Sequence, residues 1–212
     1  MLQLSLESAR TLLFLGAHSD DIEIGCGGTI LKLVRSNPRV EVHWVVFSAQ
    51  GDRRGEARSA AKLFLSGVGR SKVIIKQFRM SFFPVEQESI KDYFETLKKA
   101  VAPDIIFTHY RDDRHQDHRL VSDLAWNTFR DHLILEYEIP KYDGDLGRPN
   151  VFLPLDPSLA RRKAKAVWET FSSQRSKHWF AEETFLSLMR LRGMECGSRY
   201  AEAFYCRKMI CR

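Results

Sequence analysis

The stretch from Thr11 to Ile30 limits what this chain can fold into more than any other. It begins with an apolar run, continues through four polar residues, HSDD at positions 18–21, and then reaches a cluster of three glycines. This order is typical of a buried strand, a loop and the start of a helix. In an open parallel sheet such a loop lies at the carboxyl end of its strand, where ligands bind. We therefore expect a ligand site at this loop.

A second stretch, Asp104 to Val121, repeats the same order. An apolar run leads into a loop rich in His and Asp, and a helix is predicted to begin near Asp117. Because both loops follow strands, they can meet at one site. Across the two loops the candidate metal ligands are His18, Asp21 and His118. Two imidazoles and one carboxylate with open positions are typical of hydrolytic zinc, although non-haem iron uses the same set.

Three further residues of these loops are candidates for catalytic chemistry. Asp20 is adjacent to a ligand but must point elsewhere, so it is the candidate general base for the attacking water. His115 is the candidate for stabilising the oxyanion or protonating the leaving amine. Asp117 is predicted to be the N-cap of the second helix, and it could orient His115 or His118 by accepting a hydrogen bond.

Each motif alone is a weak signal. A single His-x-x-Asp is usually a surface turn, and HYRDDRHQDH alone could be a solvated, charge-rich loop. The metal interpretation depends on finding both motifs, each after a strand-like run. We interpret His109, Asp112 and Asp113 as supporting or loop residues, His178 as an ordinary surface residue, and Cys26 as small-residue packing. The glycine cluster lacks the GxGxxG spacing of dinucleotide-binding proteins.

The two motifs together resemble those of a known family. AHSDD at 17–21 and HQDH at 115–118 are similar to the AHPDD-type and HPDH-type motifs of the PIG-L/LmbE family of zinc-dependent N-acetylglucosamine deacetylases. That family has a Rossmann-like sheet. The resemblance extends to RRGEA at 53–57 and to RYAEAF at 199–204. It therefore covers most of the chain.

The resemblance has consequences for individual residues. It supports the roles given above to Asp20 and His115, and it implies that Arg53 lies near the polar groups of the substrate. The chain departs from the family pattern at Ser19 and Gln116, where proline is usual. Neither position is an expected ligand, so the departures concern loop rigidity more than chemistry.

Strands and helices alternate along the first 130 residues, which predicts an α/β fold. We expect a Rossmann-like doubly wound, mostly parallel sheet with helices on both faces, as a single domain over residues 1–212. The first helix is predicted at Thr29–Arg35 and another at Asp117–Phe129. The aromatic residues of RMSFFP, at 79–84, could line a pocket or pack in the core. The irregular segment Pro140 to Pro157 is expected to cover part of the site and to help select the substrate.

The totals fit one soluble globular domain of 212 residues with a hydrophobic content of 44%. The formal net charge of +6 mildly favours anionic partners, but no run has a nucleic-acid-binding pattern, and we interpret Arg161–Lys165 as a solvated helix face. No apolar run approaches the ~20 residues of a membrane span, and the N-terminal segment is read as a strand and not as a signal peptide. The cysteines form no CxxC pair, which favours free thiols and a cytoplasmic location: Cys26, Cys196, Cys206 and Cys211.

The ligand set predicts a zinc-dependent hydrolase, and the family resemblance implies that it removes an acetyl group from an N-acetylated amino sugar or sugar conjugate. One alternative is an amidase of the same family that acts on a larger amide conjugate, and another is a nucleotide-sugar binding protein without turnover. An iron oxygenase is less favoured because its ligands usually lie in a β-barrel pattern. Fe²⁺ or another divalent metal is compatible with the ligand set, and so is a homo-oligomer. The sequence leaves the sugar and its aglycone open.

Overall fold

The computed structural model describes residues 3–210, and within them seven strands form one sheet. The strands are β1 (Thr11–His18), β2 (Glu41–Ser48), β3 (Arg70–Ile75), β4 (Ile105–His109), β5 (Leu133–Tyr137), β6 (Val151–Leu155) and β7 (Tyr200–Tyr205). Their spatial order is β3-β2-β1-β4-β5-β7-β6. Strands β1 to β5 pair in parallel, whereas β7 is antiparallel to both β5 and β6.

Helices cover both faces of this sheet. They are α1 (Asp21–Ser36), α2 (Asp52–Phe64), α3 (Gln87–Ala100), α4 (Gln116–Thr128), α5 (Pro157–Thr170) and α6 (Glu182–Glu195). One core forms where α1, α2, α5 and α6 pack on the sheet, and a second core forms under α3 and α4. The prediction of a Rossmann-like, doubly wound and mostly parallel α/β fold is confirmed.

Strand β1 lies at the centre of this arrangement. Its residues Leu12 to Leu15 are all buried, because a central parallel strand is covered by helices on both faces. It pairs with β2 on one side and with β4 on the other. The strand order therefore reverses between β1 and β4, and the loops that follow these two strands lie at the topological switch point, where such sheets bind ligands.

Helix α1 differs from its prediction. It begins at Asp21, not near Thr29, so the glycine cluster lies inside the helix and not before it. The helix is interrupted at Cys26, where φ is −142° and ψ is 19°. This interruption, which we call the Cys26 kink, separates a first segment that carries Asp21 from the longer remainder of α1.

The glycines of α1 are explained by close packing. A Cβ atom on Gly25 would lie 2.2 Å from the ring of Tyr137, and a Cβ atom on Gly28 would lie 2.4 Å from a methyl group of Leu155. Neither contact is sterically possible without a shift of the helix or of its neighbour. Glycine therefore allows α1 to approach strands β5 and β6, although it lowers intrinsic helix propensity.

A buried ion pair satisfies the backbone groups at the Cys26 kink. Lys163 Nζ donates to the carbonyl oxygen of Ile24 at 2.6 Å and lies 2.5 Å from Glu202 Oε1. The Glu202 carboxylate accepts bonds from the N–H groups of Gly28 at 2.8 Å and Thr29 at 2.6 Å. Both charged side chains are almost fully buried, at 2% and 3% exposure. Together they act as a cap for each of the two helix ends that the kink creates.

Two other expectations need correction. The basic run Arg161–Lys165 is helical, but Lys163 is buried and not part of a solvated face. The segment Pro140 to Pro157 is irregular only up to residue 150, because residues 151–155 form β6 and Pro157 begins α5. The helix predicted at Asp117–Phe129 is observed at Gln116–Thr128.

Two simpler expectations concern the thiols and the membrane. Among the described residues the cysteines Cys26, Cys196 and Cys206 are free, and Cys211 lies outside them. A search of residues 3–210 finds no helix with the length and apolar character that crossing a bilayer requires.

Candidate metal centre

Three side chains from different elements converge at the carboxyl ends of β1 and β4. His18 is the last residue of β1, Asp21 is the first of α1, and His118 lies in the first turn of α4. His18 Nδ1 lies 3.1 Å from His118 Nε2 and 3.5 Å from Asp21 Oδ2. The distance from His118 Nε2 to Asp21 Oδ2 is 3.6 Å. All three side chains are buried.

The spacing of these atoms fits a divalent cation. Zinc binds imidazole nitrogen and carboxylate oxygen at about 2.0–2.1 Å, so the ligand atoms of a tetrahedral site lie about 3.3 Å apart. The observed distances of 3.1, 3.5 and 3.6 Å lie close to that value. Three protein ligands would leave a fourth position for water or substrate, as in catalytic zinc sites.

The second nitrogen of each histidine is held by a carboxylate. His18 Nε2 lies 3.0 Å from Asp117 Oδ2, and His118 Nδ1 lies 2.9 Å from Asp113 Oδ2. Donation to these carboxylates leaves a lone pair on each of the two converging nitrogens. Metal-binding histidines are usually oriented in this way. The Asp117 carboxylate therefore orients His18 and not His115 or His118, whereas the contact of Asp117 with His115 is made by its backbone N–H.

Two other groups of side chains bring possible ligand atoms within 4.8 Å of one another. One is His18, His115 and His118, and the other is Asp21, His109 and His118. His109 Nε2 accepts a hydrogen bond from Ala17 N at 2.9 Å, and His115 Nδ1 accepts one from Asp117 N at 3.2 Å. Existing partners do not exclude these residues, since Asp21 Oδ2 also accepts the N–H of His18 at 2.6 Å. We propose His18, Asp21 and His118 as the ligands, because their three converging atoms lie within 3.6 Å of one another and the AHSDD and HQDH motifs contain all three.

Asp117 has a different place in helix α4 from the one predicted. The N-cap is His115, whose ring accepts the N–H of Asp117. The Asp117 carboxylate accepts the N–H groups of Ser81 at 2.6 Å and Phe83 at 3.1 Å. Burial alone would raise the pKa of Asp117, but its hydrogen bonds lower it overall. Asp117 thus stays ionised and attaches the loop of Ser81 and Phe83 to the site.

Asp20 is buried beside the converging ligands without joining them. Its Oδ1 atom accepts a hydrogen bond from Arg53 Nη2 at 2.8 Å. Burial raises the pKa of Asp20, and the guanidinium group of Arg53 opposes that rise. The ion pair directs one carboxylate oxygen to Arg53 and leaves Oδ2 for another partner. Arg53 is thus placed against the candidate base, and its contact with substrate stays a prediction.

His115 is half-buried and lies against both ligand histidines. Its ring centroid is 4.8 Å from that of His18 and 4.5 Å from that of His118. Burial, together with the charges of His118 and His18, lowers the pKa of His115 to about 4. The ring is therefore neutral near pH 7. Because its Nδ1 accepts a backbone N–H, its proton resides on Nε2, which can serve as a donor.

Lys141 was not identified from the sequence, and His109 was interpreted only as a supporting or loop residue. Lys141 Nζ lies 3.0 Å from Asp113 Oδ2 and 2.5 Å from Asp145 Oδ2, so it neutralises the carboxylate that holds His118. His109 is buried, and its ring stacks on that of His118 with a centroid distance of 4.0 Å. Both contacts depend on tertiary structure, and no sequence pattern near Lys141 indicates its role.

We expect Asp113→Asn to weaken metal affinity by about 10- to 100-fold. The amide has no negative charge with which to hold the His118 Nδ1–H and Lys141 together. Competition with a chelating dye measures the affinity. Asp112→Asn is the matched control, because Asp112 is adjacent but exposed. Equal affinities of the two variants would contradict the role of Asp113.

A doubly wound sheet that gathers two histidines and a carboxylate at its switch point has the features of a metal-dependent hydrolase. Sequence comparison agrees with a hydrolase. The PIG-L family model, described as GlcNAc-PI de-N-acetylase, matches residues 13–129, which is more than half of the chain. The chain therefore belongs to the PIG-L family, and the family resemblance of the two motifs is confirmed.

Individual relatives extend this comparison. The uncharacterized deacetylase YaiS of Escherichia coli (strain K12) is 28% identical over 149 residues, which are 64% of this chain and 77% of that protein. The N,N'-diacetylchitobiose deacetylase from Pyrococcus horikoshii has a TM-score of 0.74 at 24% identity, over 94% of this chain and 84% of that chain. GalB, a 4-carboxy-2-hydroxymuconate hydratase from Pseudomonas putida KT2440, has a TM-score of 0.70 at 17% identity, over 96% and 98% of the chains. These structures share the fold, and the hydratase shows that the fold also supports other reactions.

Proposed function

We propose that the protein is a metal-dependent N-deacetylase that hydrolyses the acetamido group of an N-acetylated amino sugar or sugar conjugate. The convergence of His18 Nδ1, Asp21 Oδ2 and His118 Nε2 carries this proposal. Membership of a family described by de-N-acetylation supports the reaction type. The chitobiose deacetylase, whose substrate is an acetylated sugar, has the same fold and supports the substrate class.

A divalent cation held by His18, Asp21 and His118 would acidify water and polarise the acetyl carbonyl. Asp20 lies next to these ligands and is held by Arg53 through Oδ1. Its Oδ2 atom can accept the proton of the attacking water. Burial, which raises the pKa of Asp20, makes this carboxylate a stronger base than an exposed aspartate.

His115 supplies the complementary group. As a neutral imidazole it can donate its Nε2–H to the carbonyl oxygen while negative charge develops there. Its Nδ1 atom is occupied by the backbone of α4, so the orientation of the ring is set before substrate binds. Protonation of the departing amine would instead require the imidazolium form of His115, because neutral imidazole is too weak an acid to give up its proton to an amine. Both uses require the ring to lie near the ligand histidines, as observed.

We propose zinc as the resident metal, because two histidines and one aspartate with an open position form a hydrolytic zinc set. Iron(II) is the second candidate, since it accepts the same donors. We also propose a cytoplasmic location, with support from the free thiols of Cys26, Cys196 and Cys206. A homo-oligomer stays a prediction.

An amine-release assay with metal analysis tests the proposed function. We expect about one zinc per chain, acetate and free amine as products from N-acetylglucosamine or its conjugates, and loss of turnover on chelation that added zinc reverses. Release of amine only from larger amides would favour the amidase alternative. Tight binding of a nucleotide sugar without release of amine by the metal-loaded protein would favour the binding protein and contradict the deacetylase.

A further inference from the structure

Two segments outside the strands and α-helices are attached to residues around the candidate metal centre. The first, residues 140–150 after β5, brings Lys141 to within 3.0 Å of Asp113, the carboxylate that holds His118. The second, residues 171–181, is attached to the first turns of α2, because Glu56 accepts bonds from Ser172 and Ser173. Glu56 lies three residues after Arg53, which holds Asp20, so this segment is attached close to the candidate base.

Three aromatic side chains lie where these two segments meet. Tyr142 follows Lys141, and its ring centroid is 4.9 Å from that of His178, with the hydroxyl 3.2 Å from His178 Nδ1. Trp179 meets the Tyr142 ring edge to face at 6.5 Å. We call Tyr142, His178 and Trp179 the aromatic rim. The Tyr142 residue is 66% exposed, so packing in the core does not explain it.

The loop of residues 79–83 also presents exposed apolar side chains. Met80 and Phe82 are 46% and 40% exposed, whereas Phe83 is buried, so Phe83 has the core-packing use that was one of the two expected for the 79–84 aromatics. Asp117 accepts the N–H groups of Ser81 and Phe83 and also contacts His18, so this loop adjoins the ligand histidines.

We propose that the aromatic rim binds the sugar ring next to the acetylated one, so that the preferred substrate is a disaccharide or longer glycan. This inference rests on the proposed deacetylase function. A pyranose ring has apolar C–H faces and a polar edge of hydroxyl groups. The exposed face of the Tyr142 ring matches the apolar face of the sugar. The Tyr142 hydroxyl and the His178 imidazole, at the edge of that ring, match the sugar hydroxyl groups.

The rim also adjoins the groups that would hold the reacting sugar. Lys141, the chain neighbour of Tyr142, contacts Asp113, the carboxylate that holds His118. The segment that carries His178 and Trp179 is bound to α2 next to Arg53. A ligand that extends from the metal ligands toward Lys141 therefore approaches the rim. An acyl chain could not form hydrogen bonds with the Tyr142 hydroxyl and the His178 imidazole, whereas a second sugar could, which favours the sugar as the occupant.

The test measures binding of deacetylated ligands, which undergo no turnover. We expect the β-1,4-linked glucosamine disaccharide to bind the metal-loaded wild type more tightly than glucosamine. Tyr142→Ala should weaken disaccharide binding by about 3- to 10-fold and glucosamine binding by less than about 2-fold. Tyr142→Phe retains the ring and should keep most of the affinity, and Trp179→Ala should act in the same direction as Tyr142→Ala. Leu191→Ala is the control for loss of an exposed apolar side chain on a remote helix.

Three results would overturn the proposal. In the first, Tyr142→Ala weakens the binding of disaccharide and glucosamine equally. In the second, it does not change the binding of the disaccharide. In the third, it weakens the binding of an octyl glycoside of glucosamine but not that of the disaccharide. The last result would assign the rim to an alkyl chain. Amine release from N-acetylglucosamine by the same wild-type preparation tests the deacetylase separately. Selective disaccharide binding without amine release would refute the reaction and leave the rim as a sugar-binding surface.

Discussion

Replacement of Asp20 by asparagine should leave the metal bound and lower kcat for amide cleavage by about 10²- to 10⁴-fold, the loss expected for a general base. Asparagine keeps the shape of the side chain and a carbonyl oxygen for Arg53, but it cannot accept the proton of the attacking water. Metal titration and amine-release rates on the same preparations measure the two effects. Asp52→Asn, at an exposed position, controls for the loss of one negative charge.

Asp21→Ala should differ from Asp20→Asn in metal binding, because it should lose both the bound metal and turnover. Its Oδ2 atom is one of the three converging ligand atoms, and it also accepts the N–H of His18 at 2.6 Å. Removal of one of three ligands weakens the site itself. If Asp20→Asn lost its metal while Asp21→Ala kept it, the two roles would be reversed. Near-normal turnover of Asp20→Asn would remove the general-base mechanism.

The sequence predicted the sheet and the meeting of the two motif loops because these depend on local patterns and on a general rule. Each loop follows an apolar run, and parallel strands carry their carboxyl-end loops to one edge. The start of α1 was not predictable in the same way. Glycines near Gly25 indicate a loop by propensity, whereas close packing of α1 against Tyr137 and Leu155 allows them inside a helix.

The partners of the carboxylates around the metal ligands could not be predicted from the sequence either. Asp117 is next to His118 in sequence, which suggested a local partner, but the direction of its side chain in α4 takes it to His18 on β1. The carboxylate that does hold His118 is Asp113, five residues earlier, and it is stabilised by Lys141 from beyond β5. Such contacts depend on where loops of different strands meet, and sequence adjacency does not show this.

The second large effect is expected at the Cys26 kink, away from the chemistry. Lys163→Met should lower the free energy of unfolding by about 3–5 kcal/mol, the usual consequence of removing one partner of a buried ion pair. The substitution leaves the Glu202 charge buried without its cation and the Ile24 carbonyl without its donor. Methionine fills a similar volume, so the loss reflects charge and hydrogen bonding more than a cavity.

Urea unfolding of Lys163→Met beside Lys165→Met makes the comparison. Lys165 is on the same helix but exposed, and its ion pair with Glu169 has an N–O distance of 3.7 Å, so its loss should change stability by less than about 1 kcal/mol. The segment of α1 before the kink carries Asp21, so Lys163→Met should also weaken metal binding in the folded protein. Equal stability of the two variants would show that the kink does not depend on Lys163. Loss of stability without a change in metal affinity would show that the first segment of α1 is held by the sheet alone.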